Sequence, residues 1–549
     1  MQITDTFSKG GVPPSPGGIS ANIVDELRRH HSRHKRTQLM RSVRFWWYRI
    51  ALIVLGGLLV AFFSPYVLTS WKVILGVLVA MVAAFLAVRR VEFGLLMVAI
   101  LATALFSIAF SIKSLNLYPA IPFLAFLFSV IMIQTAFRVR KPVFPSFRVV
   151  WPLIGLIVMS IVSNIIVQVE WTHTVPHKVI NNPVIYDEVL GIGLFCIPLV
   201  IIITTTAAVT KKEQWIEYIQ RALLILALLA AAVITFEFRR IGGDIYTFRF
   251  AEPKILWMSL RSLATLLALA SMIAYARFLY ANTWRLRLMY GGILLWCLIS
   301  VYFTLENSWW SEVAVALLVM TIVYSRRLFL AFCVIVLPLL PLIKAEFAKL
   351  QQVKSVDSLR FVIWQDALRV WSKQPLLGVG PGNFWTYDQR FTHLPILLAN
   401  FQKTGLGVAH NGYLQALGEL GPIGLTLLLV LIFLIMRSCY RLYGRSSKTL
   451  SKQVPATRLE TGLAKIDLNL YFDSKERKDT ILGLTTLGLI WGSAVADFTS
   501  GFFFLPPRQL GGFNDLPQVV LAWILWGCVM YKDQLWRMVR KGEKLDDYK

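Results

Sequence analysis

Paired cysteines, acidic residues and charge in general are all scarce in this chain. Its 549 residues hold five cysteines, Cys196, Cys297, Cys333, Cys439 and Cys528, each in or beside an apolar segment. That placement excludes a disulfide framework and a cysteine-based metal site. Charged residues make up 16% of the chain against 56% hydrophobic, too little charge to coat a water-soluble surface of this size, so most of the protein is expected in lipid. Acidic residues are the scarcer sign, with 30 Asp plus Glu against 56 Lys plus Arg and a net charge of +26. In a soluble protein such an excess would suggest nucleic acid. In a polytopic one, loops biased toward Lys and Arg on one side and contact with anionic headgroups account for it, and no nucleic-acid partner is expected.

What is present is a succession of apolar stretches. Residues 1–43 pair a flexible GVPPSPGG with a basic run containing His30, His31 and His34, and read as a cytoplasmic tail touching anionic lipid rather than a metal site. No cleavable signal peptide is expected, and the first apolar segment reads as a start-anchor helix. Spans of sufficient length fall at 48–65, 71–88, 93–112, 117–137, 149–169, 189–209, 218–237, 255–279, 287–305, 308–324, 328–343, 411–436, 479–500 and 517–532. The expected fold is therefore an all-α integral membrane protein of about 14 helices. The segments near 308 and 328 are the shortest, and without both the count falls to about 12 with the orientation kept. Basic residues gather in alternate connections (Arg89 and Arg90, Arg138 to Lys141, Lys211 and Lys212, Arg277 to Arg287, Arg326 and Arg327, Arg437 to Lys452), which places the N-terminus inside. The implied organisation is a tail at 1–43, helices over 44–343, a large external loop at 344–410, a helix at 411–436, a cytoplasmic linker at 437–478, two helices over 479–532 and a cytoplasmic tail at 533–549.

The large loop breaks the lipid-like composition. It contains SLRFVIWQDALRVWSKQPLLGVGPGNF, which reads as an amphipathic helix capped by Ser358 and stopped at Pro375, followed by Gly378, Gly380 and Gly382 around Pro381. It closes on GVAHNGYLQALGELGPIGL, which sets His410 and Asn411 at the N-terminal end of the next helix. There the helix dipole disfavours imidazolium, orphan N–H groups face outward, and a neutral histidine can act as a general base. Asn411, Gln415 and Glu419 recur every four residues on one face, and Gly418, Gly421 and Gly424 form a small-residue stripe read as packing.

An arginine before an aromatic-rich helix, then P-L-L-G-V-G-P-G-N-F, then H-N-G-Y-L-Q-x-L-G-E-L-G resembles the signature of the O-antigen ligase and O-antigen polymerase superfamily. The close resemblance covers roughly 70 residues, with the remainder similar in hydropathy and layout. It implies a membrane glycosyltransferase of the bacterial plasma membrane with its site on the external face. The implied donor is an undecaprenyl diphosphate-linked glycan, the acceptor a hydroxyl of a glycan, lipid or protein, and polysaccharide-export proteins are further partners. No cofactor is implied.

The reaction needs cations where diphosphate leaves, and a guanidinium pairs with phosphate oxygens through two parallel bonds while staying charged. Arg360 is the candidate. The acceptor hydroxyl needs a base, for which His410 is the candidate. The 50 positions between them say nothing of proximity, which only the resemblance supplies. Asn411, Gln415 and Glu419 could orient the imidazole and receive its proton, or bond to neighbouring helices.

Arg261, a few turns inside a helix, either faces a polar interior or snorkels to the interface. Arg249 lies where relatives carry arginine followed by Gly and Asn, whereas Phe, Ala, Glu and Pro follow it here. Around Ser308, relatives carry Ser-Arg where this chain has Ser308-Trp309, with Glu306 and Glu312 flanking as expected helix-end residues.

His173, His177 and His393 have no partners at metal-ligand spacing. No Asp-x-Asp occurs in the predicted outside loops, and the turn from Pro65 to Trp71 has no carboxylate. The expected mechanism is metal-independent. Ligase and polymerase are not separable from these residues, and a polysaccharide or lipid-linked glycan flippase is the alternative from another class. A flippase would lead one to expect internal repeats and helices broken at mid-membrane, whereas the polar residues here concentrate in one outer loop.

Overall fold

The computed structural model describes residues 86–104, 110–112, 115–117, 120–137, 142–174, 184–210, 213–243, 260–304, 307–336, 338, 341, 357–384, 409–453, 475–498 and 516–540. In chain order the helices are α1 Val91–Ala104, α2 Ala120–Ala136, α3 Phe147–Thr174, α4 Val184–Val209, α5 Gln214–Arg240, α6 Leu260–Leu279, α7 Trp284–Phe303, α8 Asn307–Tyr324, α9 Arg326–Val336, α10 Asp357–Lys373, α11 Gly412–Gln453, α12 Lys475–Ala496 and α13 Leu516–Arg540. The architecture below is that of Leu78–Ile131 with Lys141–Lys549, since Met132–Arg140 belongs to a separate unit.

Five of these helices are long and apolar enough to cross a membrane: α3 over Phe147–Ile166, α5, α7, α11 over Gly412–Thr449, and α12. Shorter apolar helices lie at Val91–Ala102, Ala120–Ala136, Phe195–Val209, Leu263–Leu279 and Ser308–Tyr324. Large apolar side chains stay exposed along the outer faces of α5 and α7 (Ile225, Leu229, Phe236, Leu288, Leu295), the reverse of a water-soluble surface.

At the centre lies α12, buried on all sides from Thr480 to Ile490 and packed against α11 and α8. It runs antiparallel to α11, because Gly412 meets Asp497 at one end and Gly483 meets the Tyr443 backbone at the other. Gly488 and Gly492, four residues apart, let it approach α8, where added β-carbons would fall 2.6 Å from Met320 and 2.5 Å from the Glu312 carbonyl. Close backbone approach through small residues is how helices associate where lipid removes the hydrophobic drive.

Several expected boundaries move. The segment 93–112 is not one helix, since α1 ends at Ala104 and a two-stranded antiparallel hairpin pairs Phe110 with Leu117 and Ile112 with Leu115, a small exception to an all-α fold. In the segment 328–343, α9 is 11 residues long, about 16 Å, short of the roughly 30 Å of hydrocarbon. Pro338 and Pro341 follow it, so they cannot donate the backbone hydrogen bonds a longer helix would need. The helix expected at 411–436 continues to Gln453, so the start of the 437–478 segment is helical, and α13 extends to Arg540. The basic tail, the spans at 48–65 and 71–85, and residues 454–474 lie outside the described residues.

Candidate functional site

The two halves of the polar stretch fold onto each other. Helix α10 begins at Asp357, one residue before the expected cap Ser358, and ends at Lys373, ahead of Pro375. Its inward row of Ile363, Asp366, Ala367 and Val370 is buried, with Trp364 and Trp371 half-buried. Ala367 and Val370 join Val379, Phe384 and Ala409 in one apolar cluster, with Leu414 of α11 packed against it. The amphipathic helix, the glycine-rich turn and the residue before His410 thus share one core.

A break in α11 explains how the turn is held. Pro422 has no N–H, so the Gly418 carbonyl loses the partner a continuous helix would give it, and Gly421 adopts φ 68°, ψ −174°. The glycine-rich turn supplies the missing donors. Val379 N–H donates to the Gly418 carbonyl and Gly380 N–H to the Glu419 carbonyl, each at 2.9 Å. The Ser163 hydroxyl of α3 lies 3.2 Å from the carbonyls of both Gly378 and Glu419.

These contacts leave no room for side chains. A β-carbon on Gly378 (φ 70°) would fall 2.3 Å from the Glu419 carbonyl carbon, and one on Gly421 2.2 Å from the Leu376 oxygen. The reading of Gly418, Gly421 and Gly424 as a packing stripe is corrected at Gly421, which is the break itself. Gly418 packs on the Phe384 ring.

The polar side chains finish the clamp. Glu419, nearly buried, accepts from Gln415 Nε2 at 2.7 Å and from Gly382 N–H at 3.1 Å through the same oxygen, Oε1. Gln415 Oε1 accepts from Ala409 N–H at 2.7 Å. Asn411 Oδ1 caps α11 by accepting from Tyr413 and Leu414 N–H, both at 3.0 Å, and Gly412 N–H donates to the Asp497 carbonyl at 2.8 Å. The N–H groups expected to face outward are therefore partly used within the protein.

His410, half-buried, sits at φ 49°, in the left-handed region that non-glycine residues seldom occupy. Such a conformation costs about 1–2 kcal/mol and persists where its surroundings hold it, here Ala409 on one side and the Asn411 cap on the other.

Arg360 lies on the first turn of α10, which packs against α11, and Arg261 is the second residue of α6; the side chains of both lie outside the described residues. Arg249, Glu306, His177 and His393 lie outside them altogether, and His173 is placed only as backbone at the end of α3. Glu312, expected near a helix end, is buried and accepts from the Ser493 hydroxyl at 3.0 Å, and Trp309 is buried beside it. All five cysteines are free, and among the described residues no group of three or more His, Cys, Asp or Glu is placed to hold a metal. Burial pushes the Asp366 carboxyl of α10 above its usual range, partly offset by Arg369 at 3.1 Å.

Three contributors escaped the reading of the sequence. Ser163 and Asn164 of α3 reach the turn, with Asn164 Oδ1 accepting from Asn383 Nδ2 at 3.3 Å. Asp497, in the turn just after α12, places its carboxylate against Gly412. The signal for the first two was a Ser-Asn pair inside an apolar run, where polar groups need partners.

Residues 254–429 match the family model described as O-antigen ligase. The matched region runs from the residues before α6 through the break in α11, and so contains α10, the glycine-rich turn and His410. The chain matches none of the curated proteins.

Proposed function

With residues 254–429 forming an O-antigen ligase domain, that of a glycan-transferring membrane enzyme, we propose that the chain moves glycan from a polyprenyl diphosphate donor to an acceptor hydroxyl on the external face of the membrane. In that reaction the bond between the sugar's anomeric carbon and the diphosphate oxygen breaks, and a bond from the same carbon to the acceptor oxygen forms. The acceptor proton passes to the His410 imidazole, and the charge that grows on the leaving diphosphate is held by Arg360. Arg249 and Arg261 are further candidates for the diphosphate. The observation that carries the reading is the shared core of α10, the glycine-rich turn and Ala409. It joins the helix bearing Arg360 to the residue next to His410. The strained His410 backbone adds support, because strain of this kind gathers at functional positions.

Gln415 and Glu419 hold the Ala409 and Gly382 N–H groups and so position the loop beside His410, and orienting the imidazole or receiving its proton stays part of the proposal for them. The flippase alternative draws on helix number and has no separate observation behind it.

The test compares His410→Ala, His410→Gly and Arg360→Lys in a transfer assay with lipid-linked glycan and purified protein. Both His410 variants should retain donor binding and lose about 10²–10⁴-fold in turnover. Glycine tolerates the left-handed backbone, so His410→Gly should fold at least as well as the parent. Arg360→Lys keeps charge but loses the two-pronged pairing, and should weaken donor binding as well as rate. Near-normal turnover in His410→Gly would remove the histidine from the chemistry.

A further inference from the structure

At the end of α11 away from His410, the outer face of the helix changes character along one row. Leu429 and Phe433 are exposed and apolar, Arg437 and Arg441 follow at the same four-residue spacing, and the exposed ring of Tyr440 lies at their level. Helix α13 brings more positive charge alongside. Arg445 bonds Asp533 at 3.1 Å and lies 3.5 Å from the centre of the Trp536 ring, with Arg540 at 5.3 Å from the same ring. Arg537 takes the other Asp533 oxygen at 2.6 Å and reaches the Ser146 hydroxyl at 3.5 Å.

Arg441 is within Coulombic reach of Arg437, Arg445 and Arg537, and Asp533 is the carboxylate acting on it. Asp533, buried, is already engaged by Arg445 and Arg537. Among the described residues, neither Arg437 nor Arg441 forms an ion pair. Guanidinium groups crowded in this way repel one another unless an anion sits among them, and their planar forks suit phosphate oxygens.

We propose that Arg437 and Arg441 form a headgroup site for an anionic phospholipid whose acyl chains lie along Leu429 and Phe433. A lipid is favoured over free phosphate because the apolar row runs straight into the arginines, so one molecule with a charged head and apolar tails satisfies both. Tyr440, exposed at the level of the two arginines, flanks the head as interfacial aromatics do. The site lies at the opposite end of α11 from the glycine-rich turn and does not depend on the reaction proposed there.

The experiment uses the full-length protein in detergent, with phosphatidylglycerol, phosphatidylcholine and inorganic phosphate as probes. Native mass spectrometry reads retained lipid, and thermal unfolding reads stabilisation. Phosphatidylglycerol should stay bound and raise the unfolding midpoint, whereas phosphatidylcholine and inorganic phosphate should do neither. Arg437→Gln with Arg441→Gln should weaken the phosphatidylglycerol response roughly 30-fold, from about one surface-lipid interaction per arginine. The corresponding pair of lysine substitutions should keep most of it, as should Arg326→Gln with Arg327→Gln, two exposed arginines of α9. An undiminished response in the Arg437 and Arg441 pair overturns the site. An equal effect of inorganic phosphate, or an equal loss in the α9 pair, overturns its lipid nature or its location respectively. If the glutamine pair does not fold in detergent, Arg437→Gln alone, at an exposed position with no ion pair, carries the same comparison.

Discussion

The two ends of α11 are held by different physics. At the end that carries His410, main chain is bonded to main chain: the turn at Gly378–Asn383 donates to the carbonyls of Gly418 and Glu419, and added carbon atoms have no room. At the other end, side-chain charges do the holding. Lys532 of α13 bridges Glu213 at 2.5 Å and Asp479 at 2.9 Å, Lys475 and Lys478 pair with Glu213 and Glu217, and Asp533 joins Arg445 to Arg537. The difference teaches where each kind of contact is useful. The end that joins α10, the glycine-rich turn and the residue before His410 is built from short, stiff backbone contacts. An end that only has to keep helices together can use longer side chains, which tolerate small displacements.

The largest effect should come from adding one carbon at the backbone end. Gly421→Ala and Gly378→Ala each force a side chain into the left-handed region and into contact with backbone that has nowhere to go. The cost should be at least about 2–4 kcal/mol, read as a fall in folded protein recovered from membranes and in the unfolding midpoint. Gly444→Ala, where a β-carbon meets nothing within 4 Å, should be close to neutral. Equal effects at Gly444 and Gly421 would erase the distinction between the two ends.

Part of this was legible beforehand, for identifiable reasons. Apolar runs report helices in lipid directly, which is why α3, α4, α5, α7 and α12 fall near their expected positions. The stop of α10 before Pro375 follows from proline chemistry at the next turn. The break at Gly421 is hidden in the sequence because small residues at helical spacing look alike whether they pack or interrupt. Only the missing N–H of Pro422 tells the two cases apart. Ser163, Asn164 and Asp497 contact the site from distant parts of the chain, and a polar pair in an apolar run announces that a partner is needed without saying which residue it is. The charged end was visible as composition, but which carboxylate meets which lysine depends on α5, α12 and α13 converging.

The second effect tests the charged end. Lys532→Met removes the cation between Glu213 and Asp479 and leaves two carboxylates facing each other, which should cost about 3 kcal/mol. The pH profile separates this from lost packing. Burial pushes the Glu213 carboxyl up, but Lys532 and Lys475 outweigh it and hold the group below its ordinary value. A depressed carboxylate contributes stability that is present above its unfolded pKa of about 4.3 and lost as pH falls through the lower folded value. The parent protein should therefore lose stability on the acid side of that range. Lys532→Met should lose less there, since the cation responsible is gone. Parallel acid-side losses in the two proteins would mean that Lys532 acts through packing.

The smallest effect concerns Asn164, and it asks whether a side-chain contact can matter at an end built mainly of backbone. Its Oδ1 accepts from Asn383 Nδ2 at 3.3 Å, a long bond, and Asn383 also donates to the Val379 carbonyl at 3.1 Å. The Asn164 amide nitrogen is buried with no partner among the described residues, so removing it relieves a desolvation cost as well as breaking a bond. The two terms offset, and Asn164→Leu should shift stability by only about 1 kcal/mol. The informative quantity is coupling rather than size. If Asn164 fixes the turn through Asn383, then Asn164→Leu, Asn383→Leu and the double variant should be non-additive by about 0.5–1.5 kcal/mol in unfolding. Transfer activity should show the same pattern, because the turn that Asn383 closes is packed on the helix carrying Arg360. Additive effects in both measurements would leave the placement of the turn to the backbone bonds at Gly418 and Glu419, and reduce Asn164 to a polar residue that α3 tolerates.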